Sequence, residues 1–392
     1  MDYIPRRLEA PLQAALRRGK SVLLLGPRQT GKTTLLSRLA HDLWLSFVTP
    51  EVRLRYEKNP ALLAAEVRAL PRLPRGRRSL VLLDEVQKVP RILDVVQDLI
   101  DRDGTTFVLT GSSARKLRRG PDVNLLPGRV VALRLDPFTI DEHPQALEDA
   151  VLDGSLPGIA LETERGHREQ DLESYVTTYL EEEIRAEALV RNLGTFARFL
   201  EHAALASGGA VSFRAISQEI GVAHTTIAGY YEVLEDCLIA ERIDPITASA
   251  SRKKLMRSSK YLFFDLGVRR VCAREGRRPS RETLGRLFEQ WVGLECLRHC
   301  RLGGPSLRLR FWRDPDGPEV DWVIDHGEEY TPIEAKWTDA PGERDARHLR
   351  TFLAEYPQAR RGYVVCRTPR RLQLAPNVLA IPWSEIGRLF GA

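Results

Sequence analysis

Residues 26–33 read GPRQTGKT, directly after the apolar run SVLLL (21–25), and TTLLSRLAHDL (33–43) continues with helical spacing. The stretch fulfils G-x-x-x-x-G-K-[ST], and it lies between a strand and a helix, as that pattern requires. Gly26 and Gly31 permit a backbone that curls round a phosphate group and turns its N–H groups inward. The start of the following helix adds the positive end of its dipole. The residues expected to hold a nucleotide triphosphate are Gly26, Pro27, Arg28, Gln29, Thr30, Gly31, Lys32, Thr33 and Thr34. Lys32 is expected to reach the β and γ phosphates, and Thr33 to ligate Mg²⁺.

Working outward, a second apolar run, SLVLLDE (79–85), ends in two carboxylates. Open α/β sheets bind ligands at the C-terminal ends of their strands. Asp84 is therefore expected in the magnesium shell, and Glu85 is expected to orient or deprotonate the attacking water. A third run, TFVLTGSS (106–113), ends in small hydroxyl residues, and Thr110 or Ser112 is placed to sense the γ-phosphate. Arg129 follows shortly, in PGRVV, as a cation for transition-state charge, in its own subunit or in a neighbour's. A surface arginine after a turn is the competing reading.

These runs, together with LSFVT (45–49) and VVALRL (130–135), alternate with helical stretches. Near-continuous β-rich runs indicate strands buried on both faces, hence a parallel sheet covered by helices. The chain has 392 residues, 43% of them hydrophobic, enough for two or three domains. The expected division is 1–150, 151–255 and 256–392, with an overall α/β class.

No run approaches the roughly 18 apolar residues of a membrane span. MDYIPRRLEAPLQ at the start carries no signal-peptide pattern, so a soluble, cytoplasmic protein without a membrane partner is expected. Five scattered cysteines include Cys296 and Cys300 on one helix face, read as buried apolar residues rather than metal ligands. The formal net charge of +6, with arginine clusters at 71–78 and 115–119, points weakly to a polyanionic partner.

GPRQTGKTT, LDEVQKVP, LTGSSA and the PGR…L-x-P-F-x-x-x-E run (127–142) resemble a large prokaryotic family of AAA-type ATPases. In that family the ATPase module precedes a helical segment and a C-terminal domain of unknown function. The resemblance spans nearly the whole chain and implies ATP and Mg²⁺ as cofactors. By the same analogy it allows a homo-oligomer.

The middle segment, FRAISQEIGVAHTTIAGYYEVLEDCLIAERIDP (213–245), reads as helix, turn, helix and wing. It looks like a winged-helix module, whose second helix can enter a major groove. That helix carries Thr225, Thr226, Tyr230 and Tyr231 but no lysine or arginine. Further on, Asp321 in EVDWVI and Glu334 and Lys336 in PIEAKW look like the PD-(D/E)xK core of restriction-endonuclease-like folds. Residues i and i+2 of a strand face the same way, which sets Glu334 beside Lys336. Asp321 and Glu334 are expected to hold Mg²⁺, with Lys336 stabilising developing charge, and Glu289 matches the additional acidic position of such folds. Trp312 and Trp337 flank these residues as core or as stacking platforms. Two function classes follow: an ATP-driven enzyme acting on nucleic acid, with DNA favoured, or a nucleotide switch whose C-terminal fold is inert.

Overall fold

Each apolar run of the N-terminal region becomes a strand in the computed structural model, which describes residues 3–71, 74, 77–113, 126, 128–180, 193–247, 258–314 and 317–391. The order is α1 (Glu9–Arg17), β1 (Ser21–Leu25), α2 (Lys32–Leu36), β2 (Leu43–Ser46), α3 (Pro50–Lys58), α4 (Leu62–Arg68), β3 (Leu80–Asp84), α5 (Ile92–Asp103), β4 (Thr106–Gly111) and β5 (Val130–Arg134). The strands form one sheet, ordered β2-β3-β4-β1-β5, in which every neighbouring pair is parallel. Parallel register gathers all C-terminal ends along one edge: Leu25 lies opposite Gly111 on one side and Arg134 on the other. The N-terminal ends gather at the other edge, with Ser21 opposite Val130 and Leu80 opposite Thr106. β4 is buried along its whole length, as a strand covered on both faces must be.

The chain divides into two compact units, Met1–Asp136 with Asp236–Leu238, and Pro137–Glu235 with Ile239–Ala392. The boundary expected near residue 150 falls at Asp136, and the segment expected to form a separate middle domain shares a unit with the C-terminal sheet. The physical reason is a shared core. Ile140, Leu147, Ala150 and Val151 pack in one apolar cluster with Leu287, Phe288 and Trp291. Buried Arg298 donates to Phe138 O (2.8 Å), Ser155 Oγ (2.9 Å), Phe264 O (3.1 Å) and Glu295 Oε1 (3.0 Å), and Ile140 N donates to Glu295 Oε2 (3.0 Å).

The second unit begins with α6 (Leu147–Leu152), α7 (Pro157–Ala160) and α8 (Arg165–Ser174). α8 ends at Ser174 and passes into a wider π turn at Tyr175–Leu180. Next come α9 (Leu193–Leu205), α10 (Phe213–Ile220), α11 (His224–Asp236) and a hairpin of β6 (Ala240–Ile243) with β7 (Lys260–Phe263). Ser212 caps α10 by accepting from Ala215 N, and Gly221, at φ 79°, ends it in the left-handed region. Tyr230 and Tyr231 do not face outward: they pack on Phe196, Phe199 and Tyr261.

The unit closes with α12 (Leu266–Cys272), α13 (Arg281–Gly303), β8 (Arg308–Arg313), β9 (Glu319–Asp325), β10 (Tyr330–Lys336), α14 (Arg347–Glu355), β11 (Gly362–Cys366), β12 (Leu372–Ala375) and β13 (Val378–Pro382). Six strands are ordered β12-β13-β11-β10-β9-β8. β8, β9 and β10 run antiparallel, whereas β11 joins β10 in parallel after the α14 crossover. Along β9, Trp322 and Ile324 join the cluster of α13 and Val323 that of α14; Val320, beyond the register shift opposite Arg310 and Trp312, also joins the cluster of α14. Trp312 is fully buried in the second cluster, so it is core rather than a stacking platform. All five cysteines are buried as thiols. Among the described residues no helix is long and apolar enough to cross a membrane.

Candidate functional site

The loop after β1 sits at the C-terminal edge of the parallel sheet. Gly26 N donates to Gly111 O (3.2 Å), and Leu135 N to Leu25 O (2.8 Å). A Cβ on Gly26 would meet Leu135 O at 2.4 Å, so only glycine lets the chain leave the sheet here. Gly31, at φ 92°, caps α2 from the left-handed region. Gln29, a residue with a Cβ, also stands at φ 63°, a cost that the surrounding contacts sustain. Thr30 is fully buried and donates to Pro27 O (2.9 Å), fixing the curl. Lys32 is 5% exposed, and its Nζ donates to Gly26 O (2.8 Å) and Pro27 O (2.9 Å). Thr33 and Thr34 are exposed in the first turn of α2, and Arg28 is half-buried.

The acidic pair of β3 comes to the same edge. Asp84, 1% exposed, accepts from Thr33 Oγ1 (3.2 Å) and Ser46 Oγ (3.3 Å) on one oxygen and from Thr110 Oγ1 (2.6 Å) on the other. Glu85 stands at φ 60°, ψ 49°, and its N–H donates to Thr110 Oγ1 (2.9 Å). Thr110 therefore bridges the two acidic residues, which a reading of it as a γ-phosphate sensor did not anticipate. Ser112 Oγ donates to Glu85 Oε2 (3.1 Å), and Gln87 Nε2 reaches both Glu85 Oε2 and Ser112 Oγ. Thr33 hydroxyl and Asp84 carboxylate thus face each other as two hard oxygen donors, the set that Mg²⁺ takes beside nucleotide phosphates.

Sequence reasoning missed Arg6 and Gln87. Arg6, buried, donates to Thr30 O (2.8 Å) and Asp136 O (2.7 Å), tying the loop to the end of β5. Its partners lie 24 and 130 positions away, so no local pattern marks it. Arg129 is not brought to this site. It precedes β5, which runs parallel to β1, so it stands at the edge opposite the loop and pairs with Asp101 at 2.8 Å.

In the second unit, Glu289, Asp321, Glu334 and Lys336 converge. β9 pairs with β10 up to Trp322 opposite Ile333, and the next inward N–H, of Ala335, donates to Asp321 Oδ2 (2.9 Å). Glu334, 4% exposed, takes Lys336 Nζ on Oε1 (2.7 Å), while its buried Oε2 has no partner among the described residues. Lys260, unforeseen from sequence, is 5% exposed and donates to Glu289 Oε1 (3.1 Å). Its ammonium lies 4.7 Å from the ring centre of Trp322 and 5.2 Å from that of Phe311. Burial first, and then the charge of Asp321, push Glu289 up to about 7 and Glu334 up to about 8. Burial works against the Lys336 ammonium, but Asp321 and Glu334 outweigh it and hold its pKa above the usual lysine value. Among the described residues no group of three His, Cys, Asp or Glu side chains is disposed to hold one metal ion. Of the three carboxylates expected to hold a cation, Glu289 already accepts from Lys260 on one oxygen. The donor pair left is Asp321 with Glu334, whose unpartnered Oε2 fits a hard cation. Trp337 is part-buried, with Phe288 against its edge and the Arg367 guanidinium 4.5 Å from its ring centre.

Three segments of the chain match family models: residues 18–143 an AAA domain, residues 144–278 a domain of unknown function (DUF8612), and residues 284–386 another (DUF4143). The uncharacterized protein Rv2008c of Mycobacterium tuberculosis is 28% identical over 387 residues, covering 97% of this chain and 84% of that one. The uncharacterized protein MJ1637 of Methanocaldococcus jannaschii is 23% identical, covering 92% and 83%. Among solved structures, the Orc1 protein of Aeropyrum pernix in complex with DNA is 16% identical, covering 70% of this chain and 94% of that one, at a TM-score of 0.26. Protein VC1899 from Vibrio cholerae is 12% identical, covering 95% and 96%, at 0.22. Such scores are too low to bear on fold or function. The AAA-domain match and the parallel sheet support a P-loop, AAA-type ATPase domain in the N-terminal third.

Proposed function

We propose that the N-terminal unit binds and hydrolyses ATP and that the chain acts on nucleic acid. The observation that carries the first part is the meeting of Lys32, the Thr33 hydroxyl and the Asp84 carboxylate at one sheet edge, with Glu85 beside them. Loop N–H groups and Lys32 bind the phosphates, and Mg²⁺, when bound, neutralises charge on the β and γ oxygens. Thr33 and Asp84 are the residues that would hold it. Glu85, oriented by Ser112 and Gln87, takes the proton of the attacking water. Purified protein given Mg²⁺ and ATP should release phosphate, and Lys32→Ala should fall by roughly 10³-fold, a loss of the size expected when transition-state charge goes unstabilised. Equal release by both proteins overturns the reading.

The second part rests on the second unit. The element order α13, β8, β9, β10, α14, β11, which brings Asp321, Glu334 and Lys336 together on β9 and β10, supports the restriction-endonuclease-like reading. Helix–turn–helix followed by the β6–β7 hairpin supports a winged-helix reading, although the exposed face of α11, with His224, Thr225 and Glu232, presents no cation. In the nuclease reading Asp321 and Glu334 would hold a divalent cation, which would supply Lewis-acid polarisation of a phosphodiester, and Lys336 would steady developing charge. Plasmid, linear and single-stranded DNA incubated with Mg²⁺ or Mn²⁺ test it. Cleavage lost in Lys336→Ala but kept in Lys32→Ala supports a nuclease; absence of cleavage on every substrate favours a nucleotide switch with an inert C-terminal fold.

A further inference from the structure

The sheet edge opposite the nucleotide loop opens onto a cavity of about 620 Å³, beside the first residues of β3 and β4. A five-residue strand, about 17 Å long, separates it from the loop edge. Its wall carries Arg17 and Arg18 from the end of α1, and Arg77 and Arg78 from the segment entering β3. Among the described residues no carboxylate lines it. Two of the four guanidinium groups are fixed by the fold: Arg77 donates to Asp42 Oδ1 (2.8 Å), and Asp42 Oδ2 in turn accepts from Leu80 N (2.9 Å). Arg78 donates to Gly19 O (3.1 Å). Arg17 and Arg18 are exposed, and among the described residues neither has a carboxylate partner.

Four positive charges stand round one cleft, two of them fixed by the fold and, among the described residues, a single acid answering them, so the cleft favours an anion. Guanidinium forks match phosphate oxygens in a bidentate way, and they keep their charge at every physiological pH. The volume is in the range of ligand sites. One phosphate group would leave half of the cations unanswered, whereas a chain of phosphates passing along an open cleft answers them in series. We propose that this cleft binds the phosphodiester backbone of a nucleic acid strand without reading its sequence. The contacts are to phosphate, so binding carries the salt dependence of counterion release.

Fluorescence anisotropy with a labelled oligo-dT, titrated at several salt concentrations, tests this. Arg17→Ala/Arg18→Ala should bind roughly tenfold more weakly near 0.1 M salt, and the slope of log K against log salt should flatten by about 1.4 for two lost contacts. Arg17→Lys/Arg18→Lys should keep the slope. Both positions are exposed, so circular dichroism should be unchanged, and ATP turnover should stay at the wild-type level because the nucleotide loop lies at the other edge. Unchanged affinity and slope in the alanine double variant overturns the proposal. So does a variant that loses inorganic polyphosphate while holding the oligonucleotide as before.

Discussion

Asp84 and Glu334 are both carboxylates on buried strands, each with a lysine close by in sequence or space, yet their surroundings treat charge in opposite ways. Asp84 is held by neutral hydroxyls, those of Thr33, Ser46 and Thr110. Such donors orient a negative charge without cancelling it, so the charge stays available to a cation. Lys32 meanwhile rests on loop carbonyls. Glu334 lies among other carboxylates, Asp321 and Glu289, and two ammonium groups, Lys336 and Lys260, answer them directly. The first site leaves its carboxylate to neutral donors; in the second, burial and Asp321 outweigh the cations and raise Glu334 well above its ordinary value.

The sharpest test of the first half of that contrast is Glu85→Gln. Gln is isosteric and can still meet Ser112, so ATP binding should persist. Turnover should fall by about 10²–10³, the usual worth of a positioned base. Phosphate release at the wild-type rate would remove Glu85 from the chemistry and leave the hydroxyl cage as scaffolding alone.

How far the sequence disclosed these two regions follows from where the information lies. The nucleotide loop is legible because its chemistry sits on consecutive residues, and the strand and helix around it are periodic. Arg129 misled because nearness in sequence to LTGSS and PGR hid a directional fact. Parallel strands put every N-terminal end at one edge, so a residue just before β5 stands away from the loop. Tyr230 and Tyr231 looked available on a helix, but tertiary packing against Phe196 and Phe199 decided their direction. Lys260 and Arg6 carry no local signal at all, since their partners arrive through folding. The two-unit division, too, comes from the Arg298 and Glu295 network, which joins segments well over a hundred positions apart.

Thr110→Val asks whether the hydroxyl cage matters as a unit. The substitution keeps shape but leaves Asp84 Oδ1 and Glu85 N without their shared partner. An unpaired buried group costs about 1–3 kcal/mol, so urea denaturation should show a loss of that size. Turnover should drop by about tenfold as Glu85 loses its backbone anchor. Wild-type stability together with wild-type turnover would mean that Thr33 and Ser46 suffice.

The smallest expected effect probes the other half of the contrast. Glu334 is raised from 4.5 to about 8 in the fold, by burial and then by Asp321. Lys336, with 35% of its side chain exposed, only partly offsets this, because water screens it. Between those two pH values the unfolded chain has released the Glu334 proton while the folded chain keeps it. The unfolded state then binds fewer protons, so stability falls as pH rises through that window. Glu334→Gln removes the proton exchange while keeping the shape. The variant and the wild type should melt together near pH 4, and the variant should gain by about 1–3 kcal/mol at pH 8 to 9, seen as a Tm several degrees higher. If the wild type instead gained stability over the variant on going from pH 5 to 8, Lys336 would be holding Glu334 ionised.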